Sequence, residues 1–153
     1  MSYLIFDFGT GGAGAVQYVR PASEVAKNGW KGHDPFFGGD ADLAAMIDES
    51  SSEDADYDYS SWAPVNDTME VLLVAPTTDP DVNSGHIVSY RIGGEGTPAS
   101  LTVSLYCGAT LIKSWAHSNV STLTTHNQTL DDADAANITD YADLRLRFVA
   151  NQA

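Results

Sequence analysis

The chain has 153 residues, 43% of them hydrophobic and 10% aromatic, with 7 Lys+Arg against 21 Asp+Glu for a net charge of −14. That length suits one domain able to bury roughly two thirds of its unfolded surface, so a sandwich core needs no disulfide or metal staple. An acidic balance of this size disfavours nucleic acid and anionic lipid as partners, because phosphate binding needs clustered Lys and Arg.

The chain opens MSYLIFDFGTGG, without a basic stretch leading into a long apolar core, so it does not read as a signal peptide. No run approaches the roughly 18 apolar residues of a membrane span. Residues 3–8 (YLIFDF) predict a short apolar strand. A glycine-rich stretch follows at 9–14, then a second extended piece at Val16, Tyr18 and Arg20, closed by Pro21. The glycines loosen this segment, so residues 1–25 are expected to form a flexible arm ahead of a domain spanning 26–153. Tyr3, Leu4, Ile5, Phe6 and Phe8 are the candidate partner-binding residues, since an apolar strand on a tether docks by adding to a sheet edge of a partner or sister subunit. The same residues read equally as the ordinary first strand of the sandwich.

Gly9, Gly11 and Gly14 fit the G-x-G-x-x-G of a dinucleotide site. That site needs a helix opening at the last glycine to hold a pyrophosphate on its amides, and Gly14 leads instead into AVQYVRP. Asp7-Phe8-Gly9 matches a kinase tripeptide without its companion motifs.

Residues 27–39 (KNGWKGHDPFFGG) predict a loop carrying Trp30, Phe36 and Phe37. Residues 40–48 predict one or two helical turns, with Asp40 as N-cap and Leu43, Ala44 and Ile47 on one side. Residues 49–59 read as an acidic loop. Asp48, Glu49, Glu53, Asp54, Asp56 and Asp58 hold oxygens enough for calcium, yet lack the glycine turn and fixed spacing of a dedicated site, so a solvated loop is expected. The run EVLLVA at 70–75 predicts a strand covered on both faces, and HIVSYRI at 86–92 alternates as a strand. Asp79, Asp81 and Asn83 begin like an EF-hand, but Tyr90 stands where the bidentate glutamate belongs.

The clearest element is a hairpin. Leu101, Val103 and Leu105 alternate with Thr102, Ser104 and Tyr106, Cys107-Gly108-Ala109 supply a turn, and 110–115 return. Cys107 is the single cysteine and reads as a small buried hydrophobe. Beyond it come a Thr-rich strand at 122–130 and a helical turn or crossing loop at 131–137. A last strand alternates Leu144, Leu146 and Phe148 with Arg145 and Arg147, whose guanidiniums are expected to pair with acids across the sheet.

The fold expected from these periods is all-β, an antiparallel β-sandwich. His33, His86, His117 and His126 are scattered without zinc spacing, and no G-x-S-x-G elbow occurs. The chain therefore reads as no enzyme, with no cofactor and no metal site. Trp30, Phe36, Phe37, Trp62 and Trp115 leave a carbohydrate-binding surface open, although most rings of this kind serve as core or interface anchors.

Several short pieces recur in a familiar order: Trp30; Ile47-Asp48-Glu49; Asp54-Ala55-Asp56-Tyr57; Gly85-His86; Tyr90-Arg91; Leu105-Tyr106-Cys107-Gly108 with Leu111-Ile112; and ITDYADLRLRF at 138–148. Together they resemble the jelly-roll-like β-sandwich domain of structural proteins in tailed bacteriophages, similar to capsid decoration (cement) proteins and to some virion surface and tail proteins. The resemblance covers residues 30–150 and supplies no catalytic residue. It implies a jelly-roll-like sandwich made in the host cytoplasm and placed on the outer capsid surface of the virion. There a homotrimer would clamp neighbouring subunits of the major capsid protein, with no nucleic acid or membrane as partner. The alternative is a carbohydrate-binding or connector module of a phage tail or head fibre.

Overall fold

The computed structural model describes residues 4–8, 17–33, 42–48, 57–80, 83–94 and 99–152. Eleven strands run through them: β1 (Leu4–Phe8), β2 (Gln17–Val19), β3 (Pro21–Asn28), β4 (Lys31–His33), β5 (Tyr57–Tyr59), β6 (Val65–Leu73), β7 (His86–Ile92), β8 (Ala99–Cys107), β9 (Thr110–Val120), β10 (Thr124–Thr129) and β11 (Leu144–Gln152). One sheet has the order β10-β7-β1-β2, the second β3-β6-β11-β8-β9, and β4 pairs with β5 alone. Every pairing is antiparallel. The two larger sheets pack into an all-β sandwich.

Period two decides which side chains fill it. Along β11, Leu144, Leu146, Phe148 and Ala150 are buried and stand opposite Cys107, Leu105, Val103 and Leu101 of β8. Val88, Tyr90 and Ile92 of β7 close on them from the other sheet, with the Tyr90 and Phe148 rings edge-on at 6.5 Å. Each buried Leu, Val, Ile or Phe among them contributes about 1.5–3 kcal/mol of hydrophobic stabilisation. On the outer face of β11 the arginines meet acid, as the alternation predicts. Arg147 Nε donates to Glu70 Oε2 at 2.6 Å, Arg145 pairs with Asp143 at 2.8 Å, and Arg147 lies 4.3 Å over the Tyr106 ring. Met69, Glu70 and Val71 are all buried, so β6 is covered on both faces at its middle.

The hairpin is β8–β9, with Cys107 paired to Thr110, so the turn is Gly108-Ala109 and Cys107 belongs to the strand. Gly108 takes φ 57, the positive value a tight hairpin turn requires at its first position. Cys107 is buried, its Sγ 3.5 Å from the Asp140 carbonyl.

Two local expectations shift. The helical turn is a single 3-10 turn at Leu43–Met46, and Asp42, not Asp40, caps it by accepting from the Ala44 N–H. Asp40 lies outside the described residues. The crossing segment is α1 (Asp132–Ala135), capped by Asp131 Oδ1 accepting from Asp134 N at 2.8 Å.

The first strands take definite places. β1 is hydrogen-bonded on one edge to β2 and on the other to β7 of the same chain. The chain then passes at Arg20 from the four-stranded sheet into β3, the outer strand of the five-stranded one. The boundary drawn at residue 25 therefore falls inside β3, where ladder bonds to β6 continue through Asn28.

Candidate binding cleft

A cleft of about 910 Å³ opens where the β4–β5 ribbon faces the ends of β7 and β8. Its aromatic side is built by register. Lys31 pairs with Tyr59, Gly32 with Asp58, and His33 with Tyr57. Alternation puts His33, Tyr57 and Tyr59 on one face of the ribbon: the His33 and Tyr57 rings are 4.7 Å apart, and those of Tyr57 and Tyr59 6.1 Å. Asp58 falls on the opposite face, beside a glycine without a side chain, and is only 1% exposed. Trp30, next to β4, is buried against Phe148 at 6.3 Å, and its indole N–H has no acceptor among the described residues.

Beyond Tyr59 the chain turns through Ser60 and Ser61 to Trp62. This turn is held from below by Asp67, whose Oδ2 accepts from Ser61 N at 2.8 Å. Gly29 makes room for that carboxylate: it has φ 79, and a Cβ there would collide with the Asp67 carboxyl group. Gln152 N donates to the Pro64 carbonyl at 2.8 Å, and Asn66 N to Asn151 Oδ1 at 2.8 Å, tying the next residues to the end of β11. Between these anchored residues Trp62 stands 84% exposed at the cleft, and Tyr59 is 41% exposed. The far wall comes from Gly93, Gly94, Leu101, Val120 and Leu123. A Cβ on Gly94 would strike the Val120 carbonyl, so glycine lets the end of β7 lie against the β9–β10 connection.

A smaller hollow of about 450 Å³ adjoins, sharing Ile92 and Val120 and running between β9 and β10. His117 and His126 line it and form a ring cluster with the buried Tyr90, the imidazole centroids 4.3 Å apart and Tyr90 stacked on His126 at 5.5 Å. Gln128 Nε2 donates to the Tyr90 oxygen at 3.3 Å, and the same hydroxyl is hydrogen-bonded to His117 Nε2 at 2.7 Å. Burial pushes the Tyr90 pKa up to about 12, against a smaller opposing effect of the Gln128 bond. Burial, and next the nearby His126, hold His117 below the ordinary histidine value. His86, buried with Nε2 2.8 Å from Tyr141 Oη, is likewise lowered by burial, which outweighs its backbone bonds to Ser84 and Asn83 and the charge of Asp132.

Of the aromatics singled out in the sequence, Trp30 and Trp62 come together at the cleft. Trp115 packs instead on Tyr90 at 6.2 Å, and Phe36 and Phe37 lie outside the described residues. Tyr57 and Tyr59 fall in the run 49–59, whose acids predict a loop; only their pairing with β4 makes them a platform. Of the calcium candidates, Asp58 is turned inward, Asp48 is described, and Glu49, Glu53, Asp54 and Asp56 lie outside the described residues. Among the described residues no three His, Cys, Asp or Glu side chains gather as a metal site, and no helix is long and apolar enough to cross a membrane. Of the partner-binding candidates, Tyr3 lies outside the described residues, while Leu4, Ile5, Phe6 and Phe8 form β1, opposite Tyr90, Ser89, Val88 and His86 of β7. No family model, curated protein or solved structure matches the chain.

Proposed function

We propose that this chain is a non-enzymatic structural protein of a tailed-phage virion, of the capsid decoration type. In this reading a homotrimer sits on the outer shell and bridges subunits of the major capsid protein. The observation that carries it is the placement of exposed apolar side chains on outer strands: Tyr18 on β2, Val25 on β3 and Leu111 on β9. Outer strands offer unpaired backbone groups as well, so these are the flanks by which a sandwich meets its neighbours. The jelly-roll reading draws on the connections: hairpin β8–β9 in one sheet is joined at its two ends to β7 and β10, which are adjacent in the other. With β1 paired on both edges, attachment by strand addition falls to the outer strands, or to an exchange of β1 between copies. Mass spectrometry and cryo-EM of purified particles of the encoding phage test the proposal. The chain is expected as density on the outer shell; purified particles that lack it overturn the reading.

A second reading, a carbohydrate-binding or connector module of a tail or head fibre, is favoured by one feature, the bare Trp62 ring beside the cleft.

A further inference from the structure

We propose that the cleft beside the β4–β5 ribbon binds a neutral, pyranose-containing glycan, with Trp62 and Tyr59 as its stacking platforms. The inference rests on the second functional reading and does not depend on where in a virion the protein sits.

Four features of the cleft define the chemistry of its occupant. First, aromatic rings left open to water beside a concavity are the surfaces a binding site keeps for a ligand. Trp62 is 84% exposed, and the residue before it is hydrogen-bonded through the Ser61 N–H to Asp67, so an anchored neighbour presents the ring. Second, the aromatic and aliphatic lining is interleaved with polar groups: Lys31, Ser60, Ser61, Ser100 and Gln152 share the cleft with the rings. A pyranose matches that mixture, since its C–H face stacks on an aromatic ring while its equatorial hydroxyls both donate and accept at the edges. A purely apolar ligand would leave those polar groups without partners. Third, the charge is wrong for an anion. The chain carries −14, and among the described residues the lining holds Lys31, His33 and Asp58 rather than the cluster of cations that phosphate or sulfate requires. Fourth, the volume of about 910 Å³ lies in the range of built ligand sites, roughly 300–1,000 Å³, and leaves room for more than one sugar ring. The Trp30 indole N–H, buried in the same wall without an acceptor among the described residues, adds a donor that a ligand oxygen would satisfy after a small movement of the wall.

Proline-rich peptides also dock on aromatic grooves, in the polyproline II conformation. The interleaved hydroxyl and amide groups favour the sugar, and the peptide becomes an outcome of the test.

The full chain is applied to an array of neutral and acidic oligosaccharides, including glucose, galactose, mannose and N-acetylglucosamine polymers. Hits are titrated by calorimetry with wild type, Trp62→Ala and Tyr59→Ala. At least one neutral oligosaccharide is expected to bind, and Trp62→Ala is expected to weaken it at least about tenfold, as loss of a stacked ring predicts. The melting temperature controls for folding, since the Trp62 ring is scarcely packed in the protein. Binding that both substitutions leave unchanged overturns the site while keeping the carbohydrate reading. Absence of any glycan hit overturns both, and preference for acidic glycans or for a proline-rich peptide overturns the ligand class.

Discussion

Two groups of aromatic rings meet opposite fates in this sandwich. Around Tyr90, the rings of Phe148, Trp115, His117 and His126 interlock within 6.5 Å between the two sheets, with the Tyr90 hydroxyl satisfied from both sides. Around the cleft, His33, Tyr57 and Tyr59 form a ladder along one ribbon, and Trp62 stands nearly bare. The first group stabilises the fold because Tyr90 and Phe148 are fully buried and the half-buried Trp115, His117 and His126 rings pack on Tyr90. The second stabilises little, so its rings remain available to a ligand. The contrast shows that aromatic content alone does not identify a site; exposure on a fixed backbone does.

The difference can be probed from the core outward. Phe148→Ala removes the fully buried ring facing both Tyr90 and Trp30 and is expected to cost about 3–5 kcal/mol in urea unfolding. Glu70→Ala leaves Arg145 and Arg147 without their shared carboxylate; both arginines are about one third exposed, which limits the loss to about 2 kcal/mol in the same assay. At the base of the cleft, Gly29→Ala is expected to cost about 1–2 kcal/mol from its positive φ. It should also alter Trp62 fluorescence by pushing Asp67 off Ser61, and an unchanged spectrum would contradict the role given to Asp67.

Acid separates the two groups further. His117 and His86 have folded pKa values below their unfolded value of about 6.5, so the folded state favours the neutral ring. Their contribution is therefore complete above pH 6.5. It is lost as pH falls below 6.5, where the unfolded chain takes up protons first, and the loss stops below the depressed folded values. The urea midpoint of wild type should fall relative to that of His117→Gln between pH 7.5 and pH 5. The paired comparison is needed because acid also relieves repulsion among the 21 acidic residues. Parallel pH profiles for the two proteins would remove His117 from this account. The smallest effect belongs to Trp62→Ala, expected to shift stability by no more than about 0.5 kcal/mol. A larger loss would mean that the ring packs on the domain and is not held ready for a ligand.

The sandwich itself was legible. Alternation at 86–92, 101–105 and 144–148 marks β7, β8 and β11 together with their inward faces, and Gly108 marks the hairpin turn. The pairing of Arg145 and Arg147 with acid followed from two cations on the outer face of a strand in an acidic chain. The cleft was only half legible. Trp30 and Trp62 stand out as rings in the sequence, but Tyr57 and Tyr59 sit in an acidic run, and nothing near Asp58 signals that it turns inward opposite Gly32.

By itself the sequence determined the local terms: strand periods and the glycine of the hairpin turn, each set by residues a few positions apart. Tertiary structure decided what depends on distant partners. It set β1 between β2 and β7, brought His117 and His126 together from different sheets, and faced the Trp62 turn with Gly93 and Gly94. The physical reason is that a strand's alternation records which side meets the core, whereas its neighbours are chosen by backbone hydrogen bonds and packing summed over the whole fold, which no short window contains.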